Sequence, residues 1–277
     1  MSSPTSVPGP GSNSTVGRAS PGINLLHWPP IRTLVLSPLF PYVFQVAFLA
    51  VFVFLAVFSW QLFPPEGVPD KLYAKSNLVN LVIWGLWWPA MVWVMVLFGR
   101  VWCAVCPLEL LAQLTERLGR ALGVRQRVVG RWLQSGALML LFYGLLQLLV
   151  PGVHLHRIPA HTSVFLWSLL AGAAVVGFWM RDRAFCRGFC PVGLMLGTYG
   201  RGSMLAVRSV SPASGGDGAN GECSLPQTQH GSHARRCPSL LNPARLDSNN
   251  DCLICGQCLK IPPPQARLGL FLRRPFH

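Results

Sequence analysis

The sequence predicts an all-α integral membrane protein: about four transmembrane helices followed by a small cysteine-rich module. Three observations carry this. Hydrophobic residues make up 51% of the 277 residues and charged residues only 12%, about half the ~25% of a typical soluble domain. Four long stretches carry no charged side chain, and five of the nine Cys fall after residue 209. An ordinary soluble enzyme does not fit this composition, and neither does a wholly disordered chain.

Taken in order, residues 1–32 are rich in Ser, Pro and Gly and read as a disordered tail without the early apolar run of a signal peptide. The spans follow at about 39–63, 76–99, 132–153 and 158–180, within a transmembrane domain covering 33–208. Each has 22 or more residues, against the ~20 that a helix needs to cross the hydrocarbon core. A single such stretch also fits a buried helix of a soluble protein; four in series, each closed by charges or Pro, fit a bilayer. The uncharged stretch 188–200 is too short to span and reads as an interfacial or re-entrant segment. Residues 209–277 form a cysteine-rich module too small to bury a large core without a staple.

The formal net charge is +14, from 23 Lys and Arg against 9 Asp and Glu. The basic residues border the apolar stretches, which is the pattern of membrane loops; nucleic acid is not an expected partner. Both termini and the 100–131 loop together hold twenty Lys and Arg, the two remaining loops three. The richer side is the expected cytoplasmic one, which gives a multi-pass protein of the inner membrane with both termini inside.

All nine Cys then lie on the reducing side, where disulfides are disfavoured and metal binding is the better account. The strongest signal is Cys252-Leu-Ile-Cys255-Gly-Gln-Cys258. Three thiolates at two-residue spacing can wrap one face of a cubane cluster, with a fourth ligand from a Cys followed by Pro. Cys237, followed by Pro238, meets that description. The set Cys237, Cys252, Cys255 and Cys258 is therefore expected to bind one [4Fe-4S] cluster, with a tetrahedral zinc knuckle as the alternative. A second constellation sits at the ends of spans two and four: Cys103-Ala-Val-Cys106-Pro107 and Cys186-Arg-Gly-Phe-Cys190-Pro191. Brought together, these four thiols would hold a second cluster or metal; two redox-active dithiols, favoured as thiolates by nearby Arg, or inert buried thiols are the other readings.

These paired Cys-Pro motifs at helix ends, the downstream Cys-x-x-Cys-x-x-Cys, and Trp87-Trp88-Pro89 leading into Arg100-Val-Trp-Cys103 resemble the polytopic membrane 4Fe-4S ferredoxin-like proteins of the NapH and MauN type, and the C-terminal half of the NosR type. The resemblance covers about residues 35–265. It departs at the first Cys-Pro motif, with two residues rather than three between its Cys, and at Pro262, which stands where a further ligand is usual. It implies a ferredoxin-like module and electron transfer at the cytoplasmic face of the membrane, from quinol toward a partner redox protein. The chain would be an electron-transfer component rather than a stand-alone catalyst. A redox-sensing, maturation or regulatory protein and a zinc-stapled scaffold are the competing classes.

Other residues have plainer expectations. His154, His156 and His161 share the loop between spans three and four, where they read as polar loop residues before they read as ligands. His27 shows no diagnostic spacing, while His230-x-x-His233 lies between Cys223 and Cys237 and offers a mixed Cys/His metal site as a secondary reading. Trp84, Trp87, Trp88 and Trp93 read first as interface anchors or helix packing. Arg181, Arg183 and Arg187 read first as topology signals, with electrostatic tuning of a cluster's potential as the second reading. Triads, phosphate loops and paired catalytic carboxylates are missing from the sequence.

Overall fold

A computed structural model describes residues 22–130, 133, 135–209, 249–260 and 268–274, together with Cys237, Ser239, Leu241 and Leu246. Cys223, His230 and His233 lie outside the described residues. The chain is mostly helical rather than wholly so. Its helices are α1 (Pro29–Leu36), α2 (Tyr42–Phe58), α3 (Asp70–Ser76), α4 (Leu78–Phe98), α5 (Val101–Val105), α6 (Pro107–Ala121), α7 (Ala137–Gly152), α8 (Pro159–Trp179) and α9 (Gly193–Gly200).

Helices α4 and α8, of 21 residues each, are long and apolar enough to cross a bilayer. Only 17% of the apolar window of α4 and 33% of that of α8 is buried, whereas the core helix of a soluble protein would be covered nearly all round. Their outward side chains, such as Leu86, Trp93, Val164 and Val175, are apolar and exposed, which suits lipid. Helices α2 and α7, expected as full spans, have 17 and 16 residues, at or just below the short end of the spanning range. Helix α2 stops before Gln61, which has a positive φ, and the Pro64-Pro65 pair. Helix α7 starts only after Gly136, in the left-handed region.

Local sequence accounts for the α4 boundaries. Asn77 caps its start, its side chain accepting from the Val79 N–H at 3.0 Å, which satisfies one orphan donor of the first turn. Pro89, inside the helix, lacks an N–H and crowds the carbonyl of Gly85. The backbone answers by widening to a π-helical stretch over Leu81–Trp87. Gly99, at φ 68°, ends the helix.

The helices meet through small residues and a few buried hydrogen bonds. Leu55 and Ala56 of α2 pack with Val79 and Ile83 of α4 and Leu166 of α8. The Ser163 hydroxyl donates to the Ala56 carbonyl, and the Trp84 indole N–H donates to Thr162 Oγ1 at 3.1 Å. Helix α6 lies against α8 through Leu108, Ala112, Leu170 and Ala173. At Gly177 a Cβ would overlap the Ala112 carbonyl oxygen and sit 2.8 Å from its Cα. Changing Gly177→Val is therefore expected to push α6 off α8, at a cost of about 1–3 kcal/mol or more; thermal unfolding in detergent reads it as a lowered midpoint.

The departure from an all-α fold is a three-stranded antiparallel sheet in the order β1-β3-β2, with β1 at Ile23–Asn24, β2 at Leu205–Ser209 and β3 at Leu268–Leu272. Residues 22–32, expected in the disordered tail, thus form a strand and the start of α1. The terminal module likewise reaches back to Leu205. The reason is apolar burial: Leu25, Leu26 and Ile31 pack with Val207, Leu270, Cys252 and Ile254. A small cysteine loop gains a core by borrowing from the segments that precede and follow the long helices in sequence.

Candidate metal centres

The first centre is built from two matching segments. After α4, Cys103 lies in α5, and Cys106 is the residue from which α6 starts, with Pro107 in the first turn. After α8, a π-helical turn over Phe185–Phe189 carries Cys186, and Cys190-Pro191 leads into α9. The Cys106 sulfur faces the N–H groups of Leu108 and Glu109, and the Cys190 sulfur those of Val192 and Gly193. Backbone N–H groups at a helix start favour a negative sulfur. Pro serves well in this place, because its missing N–H costs nothing in a first turn.

All four thiols line one apolar cavity of about 350 Å3, whose wall also includes Trp84, Trp87, Trp88 and Trp102. The structure thus gathers Cys103, Cys106, Cys186 and Cys190 as a set. Among the described residues, no three His, Cys, Asp or Glu side chains converge on a single-ion position. The four thiols line this one space, a donor set of the kind that holds a [4Fe-4S] cluster.

Burial opposes ionisation at three of these thiols. Burial, followed by the neighbouring Cys103, pushes the Cys190 thiol up to about 11. Burial drives Cys106 above the ordinary thiol range, with Cys103 and Cys190 adding to it. Cys186 is raised by burial and then by Glu109, although Arg183 pulls the other way. Such thiols stay protonated near neutral pH unless a metal displaces the proton. At Cys106, Cys186 and Cys190 burial outweighs the flanking Arg residues expected to favour thiolate.

The second centre lies in the terminal module. Cys252, Cys255 and Cys258 sit on a tight loop with positive φ at Ile254 (53°) and Gly256 (71°). A Cβ on Gly256 would meet Val35 Cγ1 at 2.8 Å, so both conformation and space call for glycine. The Cys252 sulfur receives the Ile254 N–H and the Cys255 sulfur that of Gln257, the backbone bonds that suit cluster thiolates. Cys237 is within electrostatic reach of Cys252, Cys255 and Cys258. Burial pushes Cys252 to about 11 and raises Cys255 and Cys258 as well. The four thiols and their backbone donors again fit a cluster.

The two centres are neighbours. Cys255 packs against the same apolar cluster that contains Cys103, with Met95, Leu196 and Leu253. Arg100 docks the module, its Nη1 donating to the Asn250 carbonyl at 2.9 Å and lying 3.9 Å from the Asp251 carboxylate. Lys260 Nζ donates to the Phe40 carbonyl at 2.8 Å, and Gln45 of α2 donates to the Ala104 carbonyl at 2.9 Å. Both cysteine loops are thereby tied to the helices.

Sequence reasoning missed the pair Glu109 and Arg183. Glu109 is 1% and Arg183 8% exposed, and they form an ion pair. Gln113 Nε2 donates to Glu109 Oε1 at 2.6 Å, and the Cys186 thiol donates to Oε2 at 3.0 Å. A signal was present: Arg100-Val-Trp-Cys103 and Arg183-Ala-Phe-Cys186 repeat an Arg three residues before each first Cys, with an aromatic between. The loop histidines take no part. His156 Nδ1 bonds the Val150 carbonyl and its Nε2 accepts from Arg157, while His161 bonds the Val153 carbonyl. Trp84 and Trp87 pack on the helix core as well as lining the cavity.

Residues 80–125 and 163–209 match a family described as a 4Fe-4S binding domain. Each matched stretch holds one of the two Cys-Pro segments, and Cys252–Cys258 lies outside both. The ferredoxin-type protein NapH of Haemophilus influenzae is 25% identical over 192 residues, covering 60% of this chain and 60% of that protein. The chain therefore spans about 60% of the length of that curated relative. No solved structure matches.

Proposed function

From these NapH-like, 4Fe-4S ferredoxin-type similarities as premise, we propose that the protein is a membrane-bound iron-sulfur electron-transfer protein with four membrane-crossing helices, α2, α4, α7 and α8. Electrons enter from quinol and leave for a partner redox protein at the cytoplasmic face, with both termini on that side. In this reading Cys103, Cys106, Cys186 and Cys190 hold one cluster, and Cys237, Cys252, Cys255 and Cys258 another. A bound [4Fe-4S] cluster accepts and releases one electron without a proton-transfer residue of its own.

The observation that carries this reading is the shared packing of Cys103 and Cys255, which sets two thiol quartets side by side at one end of the helices. The apolar, Trp-lined cavity reaching the first quartet supports quinol, since it offers an aromatic headgroup flat apolar walls. The excess of Lys and Arg flanking the apolar stretches on that side supports the orientation.

Anaerobic purification in detergent, with iron, sulfide and zinc analysis and EPR of the dithionite-reduced protein, tests it. About eight iron per chain in two EPR-active centres is expected, and about four would leave one cluster. Bleaching of the cluster absorbance by a quinol analogue separates electron transfer from redox sensing without turnover. Stoichiometric zinc with no iron would leave a metal-stapled scaffold and end the electron-transfer reading.

A further inference from the structure

Arg183 stands in the wall between the two quartets. Three residues on, Cys186 faces the apolar cavity of the first centre. Arg183 itself lines a separate polar cavity of about 300 Å3 that it shares with Cys237 and Cys255 of the second. Its guanidinium is buried, its Nη1 has no hydrogen-bond partner among the described residues, and its charge is met by Glu109. Of that pair, only Arg183 also lies on the second centre's cavity. The electrostatics agree: Cys186 and Cys255 both interact with Arg183.

We propose that Arg183 is a positioning residue shared by both centres, one buried cation that holds the reduction potentials of both up together, with Glu109 opposing it at the first centre. The inference rests on the two-cluster reading above. Its physical basis is charge. Loading removes the Cys186 proton, so the Glu109 carboxylate then faces a thiolate instead of an S–H donor. Arg183 lies against both, and its one positive charge balances one of those two negative charges. Adding an electron to either cluster adds negative charge nearby, and a low-dielectric wall screens it little. A buried cation therefore favours the reduced state of each cluster, and net charge is one of the terms that set cluster potentials. Glu109 acts in the opposite sense, and chiefly on the quartet that contains Cys186.

Redox titration of the detergent-solubilised protein followed by EPR, with iron content measured on each sample, tests the proposal. Arg183→Gln is expected to lower both midpoint potentials, whereas Arg183→Lys keeps both near those of the parent. Because Arg183→Gln leaves Glu109 buried and unpaired, the double variant R183Q/E109Q is titrated beside it. There the second centre stays lowered while the first returns toward its parent value. Glu109→Gln alone raises the first centre more than the second. A shift confined to one centre in R183Q, a second centre back at its parent potential in the double variant, or an equal shift in R183K and R183Q, would overturn the proposal. A single iron-sulfur centre in the parent protein would overturn both the two-cluster reading and this inference. Loss of iron in R183Q and R183K alike would assign Arg183 to folding alone.

Discussion

Replacing Cys106 by Ser is expected to remove about half of the iron and one of two EPR signals. The four thiols of the first quartet come from two segments that meet only in the folded chain, so each is a quarter of one ligand set. Cys106 also starts α6, with the N–H groups of Leu108 and Glu109 aimed at its sulfur. Serine keeps the backbone geometry and removes the soft ligand. Cys255→Ser is expected to remove the other half and the other signal, with membrane insertion unchanged. If C106S retained its full iron, the cavity would not be a cluster site and the four thiols would be structural. If C255S lost all iron, the two quartets would not load independently.

Glu109→Leu should destabilise the protein by about 3–5 kcal/mol, the usual range for leaving one partner of a buried ion pair alone. Arg183 would keep its charge in a site with little water and no replacement acceptor. The double variant E109L/R183M should recover most of that loss, because two apolar groups of similar size remove both desolvation costs. Thermal unfolding in detergent reads the difference between single and double variants. Equal destabilisation in both would mean that packing, not charge, gives this pair its weight.

How far the sequence foretold this structure depends on the range of the signal. The cysteine spacings and the apolar stretches are local patterns, and Cys252, Cys255 and Cys258 lie on one loop as their spacing requires. The convergence of Cys103 and Cys106 with Cys186 and Cys190 was legible as a parallel between two helix ends, although not as one cavity. The sheet was not legible. Ile23 and Asn24 have no strand pattern of their own, and β1 exists because β3 supplies its partner. Glu109 reads as the polar side of an amphipathic helix until α8 and Arg183 cover it. The ends of α2 and α7 were overestimated because apolar composition continues past the residues that stop each helix, Gln61 and Gly136. Composition measures affinity for lipid, whereas helix ends depend on backbone conformation.

The strand order β1-β3-β2 also constrains how the chain is assembled. The central strand is synthesised after both of its neighbours, and the entire helical region separates it from β1. Until β3 is laid in, β1 and β2 have no partner, and Leu270 does not yet cover the Cys252 loop. Closure is thus a late, non-local event, slow by the entropy of the long connection and preceded by an open interval. During that interval the apolar side of the Cys252 loop, which Leu270 covers in the finished fold, stays open to its surroundings.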